Sequence, residues 1–142
     1  MDSYIVDASV VVKWLNQDRE LSTRQAFSLL RGARHGNYTL LSSDLLIHEV
    51  LNVLIRSKRM AGVELAEAIE TLFLLPYNAV PTTKDLATTA GQIAEKYGMT
   101  FYDAIYVALA YTKKSPLVTG NLKDQDKFPE VAVVNIANWS EI

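Results

Sequence analysis

Short apolar runs alternate with longer amphipathic stretches along this chain. Tyr4-Ile5-Val6 is an apolar run that stops at Asp7 and predicts a buried strand. Helical stretches follow over Ala8–Leu15 and Thr23–Arg34, the second closed by the turn residues Gly36 and Asn37. Thr39–Leu41 reads as a short strand. Ser42-Ser43-Asp44 predicts a helix start, because such side chains bond free backbone N–H groups, and the helix runs to about Arg59. Gly62 interrupts, and Val63–Leu75 forms the next helix, which Pro76 ends. Ala79–Val80 is a weak strand. A helix opening at Thr82 or Thr83 reaches Tyr97, with Gly98 as its C-terminal cap. Thr100 caps a helix over Phe101–Lys113, Pro116–Thr119 is a strand leading into Gly120-Asn121, and Val131–Asn135 is the last strand.

Short apolar strands alternating with helices predict an α/β fold: a three-layer domain with a central, mainly parallel sheet and helices on both faces. No Gly-, Ser- or Pro-rich linker, repeat or low-complexity tract divides the chain, so residues 1–142 read as one domain. A domain near this length buries roughly 68–70% of the surface its unfolded chain exposes, enough for a core without staples. In such folds ligands sit beyond the carboxyl ends of the strands. Asp7 and Thr119-Gly120-Asn121 fall at two such ends.

Composition narrows the chemistry. The chain has no cysteine, which removes disulfides and thiolate zinc sites, and His35 and His48 are too few for a histidine-rich metal centre. The longest apolar run, Ala104–Tyr111, is far short of the ~20 residues that span a bilayer. The N-terminus carries Asp2 where a secretory signal carries positive charge. Both point to a cytoplasmic protein with no membrane partner. A net charge of −2 disfavours a bulk nucleic-acid binder, but suits an enzyme that meets RNA at one small site.

Three acids stand at the rims of apolar segments. Asp7, taken alone, reads as the N-cap of the helix from Ala8. Glu49 lies in Leu45–Ile55, where apolar residues cover nearly the whole helix circumference and predict a buried helix. An unpaired carboxylate there costs on the order of several kcal/mol or takes up a proton, so it needs a base or a metal. No base lies one helical step away; an ion pair with a distant Lys or Arg is the alternative. Asp103 forms a variant capping box with Thr100, or sits at the mouth of the core beside the apolar run after it. Together the three predict one electronegative pocket. Hard cations such as Mg²⁺ or Mn²⁺ take oxygen ligands and keep several waters, so a few carboxylates suffice. Clustered carboxylates repel each other and bind protons more tightly until a cation fills the pocket.

Val6-Asp7-Ala8-Ser9, the Glu49–Leu54 helix, Tyr102–Ala110 and Leu117-Val118-Thr119, in that order and spacing, resemble the PIN domain across essentially the whole chain. The length resembles the VapC-type toxins of toxin–antitoxin pairs. This resemblance implies a metal-dependent endoribonuclease with Asp7, Glu49 and Asp103 in the catalytic and metal-binding positions. It places Ser9 and Thr119 as hydroxyl residues beside the site. Where many members carry a further Asp, this chain has Asn121, with Asp124 three residues on in the manner of toxin-type members. An antitoxin protein and a homodimer are the partners the resemblance implies.

Lys13, Lys123 and Lys127 lie near the acids in sequence, where they either meet phosphate or stand as solvated surface. Arg56, Lys58 and Arg59 read as surface. Trp14, Tyr102 and Tyr106 offer faces for base stacking, but their helical spacing favours core or interface. Two other functions fit part of the pattern. An aspartyl phosphatase or receiver-like domain also places an acid after its first strand, but the phosphatases need a second Asp where Ser9 stands. A non-catalytic binding module on the same fold fits the amide at Asn121.

Overall fold

In the computed structural model, residues 2–140 are described. The apolar run after the N-terminus forms β1 (Ser3–Val6), followed by α1 (Ala8–Leu15) and α2 (Thr23–Arg34). Then come β2 (Thr39–Ser43), α3 (Leu46–Arg56), α4 (Gly62–Leu74) and β3 (Tyr77–Val80). The rest of the chain gives α5 (Lys84–Tyr97), α6 (Phe101–Lys113), β4 (Leu117–Thr119), α7 (Leu122–Gln125) and β5 (Val133–Asn135), closed by a 3-10 turn at Ile136–Asn138.

All four strand pairings are parallel, in the order β3-β2-β1-β4-β5. Successive residues of β1 feed opposite faces, as the pleat requires. Val6 packs with Val10, Leu29, Leu54 and Leu72 from α1–α4, whereas Ile5 packs with Leu86, Ile93, Ile105 and Leu109 from α5 and α6. Leu117 and Val118 of β4 divide the same way. This is the three-layer α/β architecture that the pattern predicts. The chain winds from β1 outward through β2 and β3, then returns to β1's other side with β4. The strand order therefore reverses between β1 and β4, and the crevice beyond their carboxyl ends is where such folds bind ligands.

Three local expectations fail for physical reasons. Ser42 and Ser43 do not start a helix: they extend β2, and the Ser42 hydroxyl donates to the Val6 carbonyl at 2.6 Å. Asp44 turns away to accept from the backbone N–H and hydroxyl of Thr82, which leaves Thr83 to cap α5 through the N–H of Leu86. α3 ends at Arg56, not Arg59, and buries only Leu46, Val50 and Leu54 on one face, with Ile55 exposed. α7 has no counterpart in the sequence reading. Gly98 closes α5 with φ +67°, the left-handed geometry that favours glycine.

Candidate active site

Asp7 follows the last residue of β1, beside the wall that Ala8 and Ser9 form, and the N-terminus of α1 fixes it there. Asp7 is only 3% exposed. Its Oδ1 accepts from the Ser9 hydroxyl at 2.6 Å and from the Val10 N–H at 3.4 Å, which makes it the N-cap of α1. Its Oδ2 accepts from the Thr119 hydroxyl at 2.6 Å. Behind each hydroxyl stands a backbone amide: Gly120 N–H donates to Ser9 Oγ at 2.8 Å, and Asn121 N–H donates to Thr119 Oγ1 at 2.9 Å. Both carboxylate oxygens thus end a relay of amide, hydroxyl and carboxylate, which only side chains that donate and accept at once can form. Gly120 must come close for this. A Cβ there meets Ser9 Oγ at 3.3 Å and Lys13 Cε at 3.7 Å.

Burial nevertheless pushes the Asp7 carboxyl above its ordinary value. The bonds from Ser9, Thr119 and Val10 work against burial, while the charge of Asp103 adds to it. The capping and functional readings of Asp7 are therefore compatible, since one carboxylate does both.

Glu49 comes from the first turn of α3 and is half-buried. Its partner is not the base of an ion pair: the Tyr106 hydroxyl donates to Glu49 Oε1 at 2.6 Å. Burial raises the Glu49 carboxyl, the Tyr106 bond opposes that, and the charges of Asp7 and Asp103 raise it further. Tyr106 is itself buried and its phenol is pushed far up, so it stays a neutral donor.

Asp103 occupies the first turn of α6, where its N–H donates to the Thr100 hydroxyl at 3.1 Å, as the capping pattern predicts. Burial raises its carboxyl, Thr100 opposes, Asp124 raises it and Lys127 lowers it. Asp124 is exposed in α7 and meets the site only through that charge. Asn121 is exposed at the N-terminus of α7 and lines a cavity with Ala8, Ser9, Glu49 and Gly120. The structure therefore brings Asp7, Ser9, Glu49, Asp103, Thr119 and Asn121 to one end of the sheet. Among the described residues no three acids or histidines converge into a ready-made ligand cluster. The acids share a field, not a point. That donor chemistry suits a hard divalent cation, whose charge relieves the penalty each carboxylate carries.

Of the aromatics, Trp14 is core, its Nε1–H donating to the Ala26 carbonyl at 2.7 Å. Tyr102 is 58% exposed and lines a second cavity beside Glu49 with Leu45, His48, Asn52 and Val53. Arg56, Arg59, Lys123 and Lys127 are exposed, as a surface reading expects. Lys58 departs from that reading: its ammonium pairs with Glu20 Oε2 at 2.7 Å, and its side chain is 5% exposed. Neither the pairing of Tyr106 with Glu49 nor the role of Glu20 follows from the sequence pattern. The apolar run of α6 contained the one signal for Tyr106, a phenol that needs a partner when buried.

Fold and site together define a parallel three-layer α/β protein with an acidic crevice at its topological switch point. The chain belongs to the PIN domain family, whose model matches residues 4–134. No curated protein matches its sequence significantly. The structure is similar to VapBC2 from Rickettsia felis bound to a DNA fragment from their promoter, with TM-score 0.68 and 19% identity over 94% of this chain and 98% of that one. It is similar to PAE2754 from Pyrobaculum aerophilum, with TM-score 0.66 and 21% identity over 94% and 90% of the two chains. It is also similar to VapC20 from Mycobacterium tuberculosis, a Sarcin-Ricin loop cleaving toxin, with TM-score 0.64 and 16% identity over 82% and 87%. Among the described residues no helix is long and apolar enough to cross a membrane.

Proposed function

We propose that this protein is a metal-dependent endoribonuclease, the toxin of a type II toxin–antitoxin pair, acting in the cytoplasm. The observation that carries this reading is a buried Asp7, braced on both oxygens, within the field of Asp103 and Glu49 at the switch point. Asp7, Glu49 and Asp103 are the catalytic and metal-holding residues of this reading. When bound there, Mg²⁺ or Mn²⁺ supplies a Lewis acid that lowers the pKa of water and offsets charge at the phosphate. The residues around them act by positioning. Ser9 and Thr119 orient Asp7 and favour its ionised form, and Tyr106 does the same for Glu49. Asn121 offers a neutral amide at the cavity wall, and Asp124 adds negative charge toward Asp103.

RNA is the substrate class of this reading, and likeness of fold to VapC20, a Sarcin-Ricin loop cleaving toxin, supports it. An antitoxin that covers the acidic crevice is the partner, in keeping with the toxin–antitoxin complexes among the similar structures. A homodimer belongs to the same reading, and α4 offers an apolar face with Phe73 65% and Leu74 77% exposed. The phosphatase reading loses ground because Ser9 spends its hydroxyl proton on Asp7.

Expression of the wild type should arrest growth, and the purified protein should cut RNA with Mg²⁺ or Mn²⁺ and stop with EDTA. Asp103→Asn should remove both effects. Equal growth inhibition by wild type and Asp103→Asn sinks the ribonuclease account. Failure to cut RNA, with tight binding to a protein partner, assigns the chain to the non-catalytic module.

A further inference from the structure

Beside the acidic crevice lies a cluster of opposite character. Lys13, on α1, is buried, and its ammonium donates to Glu20 Oε1 at 3.1 Å and to the Leu21 carbonyl at 2.6 Å. Lys58, just beyond α3, donates to the other oxygen of Glu20 and to the Asp18 carbonyl. Burial pushes the Glu20 carboxyl up, but the bonds and charges of Lys58 and Lys13 outweigh it and hold it below its ordinary value. Two ammonium groups thus share one carboxylate, so the triad keeps a net charge of about +1 in a partly desolvated place where charge acts strongly.

Only one of the two lysines reaches the crevice. Lys13 and Glu20 line the cavity of about 320 Å³ whose other walls include Ser9, Glu49, Gly120 and Asn121, whereas Lys58 is not part of that wall. An ammonium has three donors, and the two acceptors on Lys13 leave one for an incoming group. Burying a cation beside its own salt bridge contributes little to stability by itself. The cavity therefore has an acidic end at Glu49 and a cationic end at Lys13, an arrangement that suits a strand with regularly spaced negative charges.

We infer that Lys13 is a phosphate-binding residue: it seats a backbone phosphate of a single-stranded RNA next to the acidic site, with Glu20 Oε1 and the Leu21 carbonyl holding its ammonium in place. This rests on the ribonuclease reading. Lys13 is not a catalytic residue in it, and its work is to fix the register of the strand against Asp7 and Glu49.

The test is fluorescence anisotropy of a labelled single-stranded RNA, read over a range of salt concentrations in an Asp103→Asn background. Lys13→Gln and Lys58→Gln each remove one positive charge from the triad, so a purely structural or long-range role predicts equal effects. The phosphate role predicts that Lys13→Gln lowers the slope of log affinity against log salt by about 0.7, the share of one single-strand phosphate contact. Lys58→Gln should keep the slope, and Lys13→Arg should retain wild-type slope and affinity. In the Mg²⁺-loaded enzyme Lys13→Gln should raise KM several-fold with kcat little changed. Glu20→Gln keeps an oxygen acceptor for the Lys13 ammonium but leaves both ammonium charges uncompensated, so it should tighten RNA binding, a gain that damage to the fold does not produce. An unchanged slope in Lys13→Gln, or equal loss in both lysine variants, overturns the assignment. If Lys13→Gln does not fold, weaker or unaltered binding by Glu20→Gln overturns it instead. Wild type that neither binds nor cuts RNA defeats the ribonuclease reading itself, whereas cleavage with a wild-type slope in Lys13→Gln defeats only the role of Lys13.

Discussion

The hydroxyl of Tyr106 donates to Glu49 Oε1 at 2.6 Å, joining α6 to α3 across 57 positions of sequence. It is a neutral donor to a carboxylate, and it lowers the proton affinity that burial and neighbouring acids raise. Tyr106→Phe keeps the ring in the core and removes the bond. Glu49 should then take up a proton at higher pH. The acidic limb of the pH profile for RNA cleavage should move upward, with a loss of stability of about 1 kcal/mol. An unmoved limb would show that the ionisation of Glu49 does not govern the rate.

Thr119 braces the other oxygen of the site's most buried acid. It is fully buried, donates to Asp7 Oδ2 at 2.6 Å and accepts from the Asn121 N–H. Thr119→Val preserves shape but leaves a buried carboxylate and an amide each short of a partner. Urea unfolding should show a loss of about 2 kcal/mol at neutral pH, and the loss should shrink as pH falls and the raised Asp7 carboxyl takes up its proton. A loss independent of pH would mean that the hydroxyl supports packing and not the charge of Asp7.

The sheet and the helices that carry the acids were legible because each pairs an apolar run with an abrupt polar stop. Val6-Asp7 and Leu117-Val118-Thr119 needed no tertiary information. Ser42 and Ser43 misled because strand and helix start both accept serine; the Val6 carbonyl, 36 positions away, settles the matter. The circumference of α3 misled too. Apolar residues on its outer face, such as Ile55, carry no mark that separates core from surface. Glu20 was illegible for a different reason: its partners lie 7 and 38 positions away, and its importance comes only from the geometry that joins them.

The metal-free protein should respond to acid in two opposed ways. Asp7, Glu49 and Asp103 are held above their ordinary values, chiefly by burial. An acid raised in the folded state binds more protons folded than unfolded, so stability climbs as pH falls through its folded value and levels off once its unfolded value is passed. Glu20 and Asp44 are held below theirs, so their stabilisation is present above the unfolded values of 4.5 and 3.8 and is lost as pH falls further. Melting temperature in EDTA should therefore peak at mildly acidic pH. Asp7→Asn should flatten the climb toward that peak. A monotonic fall in melting temperature from neutral pH downward contradicts the assignment of strain to these carboxylates.

Added Mg²⁺ or Mn²⁺ should turn that profile around. A ligand that binds only the folded state stabilises it by about 2.7 kcal/mol at a hundredfold excess over Kd. Binding favours ionised carboxylates, so the gain should be largest at neutral pH and vanish in acid. Both Asp7→Asn and Asp103→Asn should abolish it; apo Asp103→Asn should be at least as stable as wild type, whereas apo Asp7→Asn trades relief of charge for one lost hydroxyl bond. An unchanged metal response in both variants removes the shared site.

The fourth charge of the pocket is the remaining variable, and α7 sets two residues to supply it. Asn121 lies at the wall of the cavity that holds Ser9 and Glu49, one residue beyond Gly120, whose N–H is bonded to Ser9. Its amide oxygen can accept a bond from a coordinated water but brings no charge. Asp124, one turn on, is exposed and raises the proton affinity of Asp103, which places its charge within reach of that side of the crevice. The two therefore act on different ends of the site. Asn121→Asp adds a carboxylate beside Glu49, whose attraction for a divalent ion is on the order of several kcal/mol gross at intermediate dielectric. Repulsion from Asp7 and Glu49 removes part of this, so Mg²⁺ binding should tighten by about tenfold, or ~1.4 kcal/mol. Asp124→Asn removes an exposed and solvent-screened charge, so its effect should be smaller and opposite, a weakening that shrinks as salt rises. Isothermal titration of Mg²⁺ into both variants and wild type checks the signs and their order. Unaltered affinity in both shows that neither residue reaches the metal and that Asp7, Glu49 and Asp103 hold it alone.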